Sequence, residues 1–295
     1  MDAYGDERTK IDAGIVHSFS SEIPRFYLLS DPSHGFKKMR NSMFNRTIVD
    51  TNDPTKSQSM MVPVPACNDH DYVSSRVWRA ASWNHLRQVY RLQQEMLLQG
   101  LRLDRQLNER HVELANFEKI NMQTAIDVFS ELVERSMLEH VTGSEGLRWF
   151  ASVARTFRMA MLNKRTYTKY EHTAKLRADL DFVGQELTHW FDEAADRNAD
   201  FITQKCYADI MRICKGVPAL IYQIFHHVKD DRFEPRFIPR LVTRDLLERD
   251  FGAMQQSCGG AANPPVQAAL YGFQSRNATL LFNFILKCLA YRRET

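Results

Sequence analysis

Residues 27–41 read YLLSDPSHGFKKMRN. An apolar run ends in Asp31-Pro32, and a polar, cationic stretch follows. Just upstream, IPRFYLL (23–29) sets Phe26, Leu28 and Leu29 between polar flanks, which predicts a short buried strand stopped by the Asp-Pro pair. The following SHGFKKMRNSMF predicts the start of a helix. Asp31 thus stands where a buried backbone meets solvent. Two readings are open for it. It is a turn acid that caps the helix after proline, or it is a carboxylate held rigidly at a strand's end for chemistry.

The rest of the chain bounds the choice. Its 295 residues suggest about two domains, and an apolar fraction of 44% is enough for a core. The net charge of +3 is too small to argue by itself for nucleic-acid binding. The five cysteines, at 67, 206, 214, 258 and 288, form no C-x-x-C pair and have no ligand-spaced histidines. That predicts reduced thiols, with neither a zinc site nor a disulfide frame. No early apolar segment is present, and LLFNFILKCLAY (280–291) holds Asn283 and Lys287 and is too short to span a bilayer. A soluble chain is expected, nuclear or cytoplasmic, without a membrane partner. A P-loop, a G-x-S-x-G elbow and a dinucleotide fingerprint are all missing from the sequence.

Residues 48–75 carry Pro54, Pro63 and Pro65 among small polar residues and predict a linker or loop. From 76 to 235 the pattern turns helical. Met122, Ala125, Ile126, Phe129, Leu132 and Val133 share one face, as do Leu176, Leu180, Val183, Leu187 and Trp190. Trp83, Leu86, Tyr90 and Leu97 predict another helix, stopped at Gly100. Ser144 is placed as an N-cap, with Glu145 in the first turn. Phe150, Phe157 and Met161 read as core, and Pro218 predicts a kink or break. Farther on, Leu247, Phe251 and Met254 share a helix face, and CGGAANPP forms a Gly-rich turn with Pro264 opening a final helical part.

Three blocks carry a resemblance. DPSHGFKKMRN (31–41) resembles the D-P-x-H-x-x-K-x-x-R-N signature of P element-type, THAP-associated DNA transposases. LDRQLNERHVELANFEKINMQTAIDVFS (103–130) resembles that family's K-L-T-x-x-H segment and the V-F-S helix after it. TRDLLERDFGAMQQSCGGAANPP (243–265) resembles its S-Q-D-H-L-E-x-F-F and G-G-x-x-N-P-T block. The matches fall in the family's order and extend over about residues 25–275.

The resemblance implies a mainly α chain: a helical GTP-binding insertion domain (76–235) attached to a partial RNase H-like α/β remnant (1–47 and 236–295). It implies Mg²⁺-dependent DNA cleavage and strand transfer at a D-D-E triad, with GTP as a cofactor that is not hydrolysed. Asp31 takes the place of the second catalytic and metal-binding aspartate, and Glu248 that of the glutamate. Asp245 corresponds to the guanine-reading aspartate, and Lys119 to a lysine beside the nucleotide. Two Mg²⁺ ions about 3.5–4 Å apart need several converging carboxylates, and hard oxygen donors suit magnesium.

Departures from the pattern matter as much. No strand-borne acid precedes Asp31 at the family's spacing, since Asp2, Asp6 and Asp12 lie too close and follow no strand pattern. Leu246 replaces the family's histidine and Asp250 its first phenylalanine, and no zinc-coordinating DNA-binding domain is found. The expectation is the catalytic half of a transposase, truncated at both ends, catalytically incomplete, with DNA as ancestral partner. The exposed sheet edge left behind would suit a homo-oligomer. The alternative is a domesticated, non-catalytic module that binds a nucleotide or a protein. In either case Lys37, Lys38 and Arg40 read as a solvated cationic face, and His34 as a ligand-orienting or simple loop histidine. His226–His227 has no metal-ligand spacing.

Overall fold

The computed structural model describes residues 15–16, 26–27, 29–46, 59–66, 76–100, 107–227 and 234–242. The chain divides into two units, 1–242 and 243–295, and all described residues belong to the first. That unit is mainly α. In order it runs β1 (Ile15–Val16), β2 (Phe26–Tyr27), α1 (Pro32–Arg46), β3 (Met60–Pro65), β4 (Arg76–Ala81) and α2 (Trp83–Leu98). Then come α3 (Glu109–Val112), α4 (Asn116–Ile120), α5 (Met122–Val128), α6 (Glu131–His140), α7 (Glu145–Met161), α8 (Ala174–Glu193) and α9 (Gln204–His227).

The amphipathic period becomes packing most clearly in α7. Leu147, Phe150, Ala151, Ala154, Phe157 and Met161 are buried, and α7 packs against α1, α6, α8, β3 and β4. Its first turn presses onto the hairpin. A Cβ on Gly146 would lie 2.5 Å from the carbonyl oxygen of Ala80, so only glycine permits this approach. Edge-to-face rings continue the core from Phe36 through Phe129, Phe150 and Trp190 to Phe201. The Trp83 indole donates to the Val112 carbonyl at 2.8 Å, and that of Trp190 to the Met61 carbonyl at 3.0 Å.

Several elements depart from the sequence reading. The expected 48–75 loop contains β3, which pairs antiparallel with β4 from Met60↔Ala81 to Pro65↔Arg76. Met60 and Val62 are buried at strand spacing, and a two-stranded ribbon leaves Pro63 and Pro65 an open side for their missing N–H groups. The helical region therefore begins at Trp83 and not at Arg76. The expected helix through Met122–Val133 is two helices, because Ser130 interrupts it and caps α6 by accepting the Val133 N–H at 3.4 Å. Ser144 does precede α7, but its hydroxyl donates to the Met137 carbonyl instead of capping. Residues Gln204–His227 form one continuous helix through Pro218. Gly100 ends its helix as read, with φ +78°. Helix α1 shares one core with the bundle, packing on α5, α7 and α9.

The hairpin is tied to α8 by a side-chain clamp. Arg76 donates to both oxygens of Glu186 at 2.7 and 2.6 Å, and the Trp149 indole donates to the same carboxylate at 3.0 Å. Glu186 is 7% exposed, so its charge is tolerable only because it is paired.

Candidate functional site

Strand β2 ends at Tyr27, four residues before Asp31. Asp31 caps α1. Its Oδ1 accepts the Ser33 N–H and the Ser33 hydroxyl, both at 2.9 Å, and its carbonyl accepts the Gly35 N–H at 3.0 Å. Pro32 occupies the first helical position, where its missing N–H is harmless. The cap engages Oδ1, and Glu248, which the other reading sets beside Asp31, lies outside the described residues.

A charged cluster surrounds this cap. Lys38 of α1 reaches Asp209 of α9 at 2.5 Å, and the Ser30 hydroxyl donates to the same carboxylate at 2.9 Å. Arg212 adds a longer contact of 3.4 Å. Burial pushes the Asp209 carboxyl up. Hydrogen bonds from Lys38 and Ser30, with the charges of Lys38 and Arg212, outweigh it and hold the acid below its usual range. His34 is lowered by partial desolvation first, then by the Lys38 and Lys37 charges. The expected divalent-cation site can be tested against these donors. Among the described residues, no group of three His, Cys, Asp or Glu side chains could hold a metal ion. Asp31 Oδ1 is engaged in its cap, and Asp209 in its pair with Lys38. Glu248 and Asp245 lie outside the described residues.

The adjacent Arg40 departs from its sequence reading. It is 0% exposed, not part of a solvated face. Its Nη2 donates to the carbonyls of Glu118 at 2.8 Å and Lys119 at 2.7 Å. Its Nη1 donates to the Asn121 carbonyl at 3.1 Å and the Thr124 hydroxyl at 2.5 Å. Asn41 accepts from the guanidinium at 3.1 and 3.0 Å and donates to the Lys119 carbonyl at 3.0 Å. These carbonyls end α4, where a helix leaves acceptors unpaired and its dipole favours a cation. Desolvation lowers the Arg40 pKa to about 10, against the opposing charge of Glu118, so the group stays charged at neutral pH. The sequence did hold a signal for this. Phe36, Met39 and Met43 are the buried face of α1, and Arg40 is a turn beyond Phe36 on that face.

Lys119 therefore contributes its backbone to this node. Its ammonium lies 5.4 Å from the centre of the Phe44 ring, at cation–π distance. The second block has its own local logic. Asn108 caps α3 by accepting the Arg110 N–H at 3.1 Å, and His111 Nδ1 accepts the Asn108 N–H at 3.0 Å. That leaves the His111 Nε2 proton facing Asp127 at 3.3 Å.

Between α8 and α9 lies an open groove of about 430 Å³, lined by Gly184, Thr188, His189, Met211, Cys214 and Lys215, among others. Neither Asp31 nor Lys119 lines it. Burial pushes the Cys214 thiol up to about 12, and the buried Cys206 likewise, so neither supplies a thiolate nucleophile.

No protein-family model and no curated relative matches the sequence. The fold, however, is similar to a solved structure of the Drosophila P element transposase strand transfer complex, with a TM-score of 0.57 and 11% sequence identity. The match covers 91% of this chain and 56% of that one, so the chain spans little more than half the length of the transposase it resembles. At this identity the likeness is one of fold. No helix among the described residues is long and apolar enough to cross a membrane.

Proposed function

We propose that this chain is a transposase-derived, DNA-binding protein that does not cleave DNA on its own. The observation that carries this reading is the Arg40 node. The 31–41 block and the 103–130 block, which each resemble one transposase family, interlock there through hydrogen bonds of the buried Arg40 and its neighbour Asn41. They do so within a fold similar to that of a P element transposase. Asp31 and Glu248 are the metal carboxylates that the ancestor would have kept. Lys119 and Asp245 would hold GTP, the aspartate accepting the two edge N–H groups of guanine.

Three assays test this. Duplex DNA binding is expected, and Mg²⁺-dependent nicking of plasmid DNA is not. Nicking that disappears in Asp31→Asn would overturn the non-catalytic part. GTP should bind saturably without turnover and be lost in Asp245→Ala.

A second reading, a domesticated helical module for a nucleotide or a protein, rests on the α8–α9 groove. Its volume falls in the range of small-molecule sites. GTP binding that persists without any DNA binding would favour it.

A further inference from the structure

Residues 155–177, RTFRMAMLNKRTYTKYEHTAKLR, contain seven Lys and Arg residues and one acid, whereas the whole chain carries only +3. The structure sorts these cations. Arg155 is drawn inward to Glu131 and Glu134. Lys175 pairs with Asp179 at 2.9 Å. Arg177 stacks 4.1 Å from the centre of the Tyr170 ring and donates to its hydroxyl at 2.8 Å. Lys164, Arg165 and Lys169 stand exposed on the loop between α7 and α8, Arg165 with its guanidinium 5.2 Å from the centre of the Tyr167 ring.

That loop is held in shape. The Asn163 amide donates to the Met159 and Ala160 carbonyls at 2.8 Å each, closing the end of α7, and Asn163 Oδ1 accepts the Arg165 N–H at 3.0 Å. Tyr167 and Phe237 exchange backbone hydrogen bonds at 2.8 and 2.9 Å, with both side chains buried. The bridge brings the exposed Arg236, which also pairs with Glu234 at 3.0 Å, alongside the loop, and the exposed Arg240 follows three residues after Phe237. Thr166 and Thr168 add hydroxyl donors between the cations.

We propose that this pinned loop, Lys164, Arg165 and Lys169 with Arg236 and Arg240 beside it, docks the phosphodiester backbone of duplex DNA. The inference rests on the DNA-binding reading above and assigns it a surface. Interleaved Lys, Arg and Thr groups are the side chains that contact phosphate and fix register without reading sequence. An ordered loop has less entropy to lose on binding than a mobile one. An isolated acidic peptide would neutralise such a surface too, but a duplex presents one charge about every 1.7 Å and rewards several cations at once.

The test is fluorescence anisotropy with a labelled random-sequence duplex, titrated at several salt concentrations. The proteins are the full chain, a Lys164→Ala/Arg165→Ala/Lys169→Ala variant, and an Arg110→Ala/Arg135→Ala/Lys205→Ala control that removes three exposed cations elsewhere. Removing three phosphate contacts should lower the slope of log K against log salt by about 2.7. The loop variant should lose that slope and bind roughly 10-fold or more weakly at moderate salt, while the control keeps both. A loop variant with the parent slope, or a control that loses as much as the loop variant, overturns the surface assignment alone. A parent chain that fails to bind duplex DNA even at low salt overturns the DNA-binding reading and this surface with it. Single-stranded RNA bound more tightly than duplex DNA also overturns the assignment. Unchanged thermal unfolding certifies that the variants are folded.

Discussion

Lys37, Lys38 and Arg40 lie within four residues in α1, and Lys164, Arg165 and Lys169 within six in the loop after α7. As sequence the two clusters look interchangeable. In the fold, Arg40 ends up fully buried against the carbonyls closing α4, and Lys38 on Asp209, while the three cations of the loop stay exposed. The difference lies in what each backbone presents. In α1, one residue in three or four faces the core, so a cation near Phe36 and Met39 is drawn inward and needs acceptors. After α7 the chain is a surface loop pinned at Tyr167, and its cations stay exposed, with Arg165 lying 5.2 Å from the centre of the Tyr167 ring. A basic run therefore identifies charge but not its use.

Breaking the contrast begins with Arg40. Arg40→Ala should remove the guanidinium's hydrogen bonds to five acceptors and destabilise the unit by about 3 kcal/mol in urea unfolding. Arg40→Lys keeps the charge but not the fork of donors, and should recover only part of the loss. If Arg40→Ala unfolds like the parent chain, the node is not structural.

Lys38→Ala and Asp209→Ala come next. The pair is half-buried, at 23% and 15% side-chain exposure, so each variant should lose about 1 kcal/mol. The double variant should lose less than the sum, as a double-mutant cycle would report.

Acid should sharpen the picture further. His85 is lowered by burial, with Glu145 opposing, and its Nδ1 is buried without a partner among the described residues. His34 is lowered as well. Both take up a proton less readily when folded than when unfolded. The stability they support is full above the usual histidine value of 6.5 and falls as pH drops below it. Unfolding midpoints should decline from pH 7.5 to 5.5, less steeply in His85→Leu. Asp209 has the opposite ionisation, and its contribution is lost only below the usual aspartate value of 3.8.

The smallest effect belongs to the loop. Lys164→Ala and Lys169→Ala should each leave stability within about 0.5 kcal/mol, since both side chains are exposed, and Arg165→Ala should cost about 0.5–1 kcal/mol through its contact with the Tyr167 ring. A large loss there would erase the distinction between the two clusters.

Much of this fold was legible. The periods of α2, α7 and α8, the stop at Gly100 and the helix after Asp31-Pro32 follow from where apolar residues recur and where glycine and proline permit them. The β3–β4 hairpin was not legible, because prolines disguised β3 and its pairing is made by a partner strand more than ten residues away. Nor was the split at Ser130, where a side-chain cap overrode an unbroken apolar period. At the candidate site, the sequence marked Asp31, Arg40, Asn41 and Lys119 through the resemblance, and a cap was one of its two readings of Asp31. It gave no sign of Asp209, which lies 171 residues from Lys38.

Local pattern alone determined which segments are helical and which face of each is apolar, since those depend on neighbours within a turn or two of chain. Only the tertiary structure decided which charges were to be buried. Arg40 is satisfied by carbonyls some eighty residues away, and a long-range hydrogen bond leaves no periodic trace in the chain that makes it.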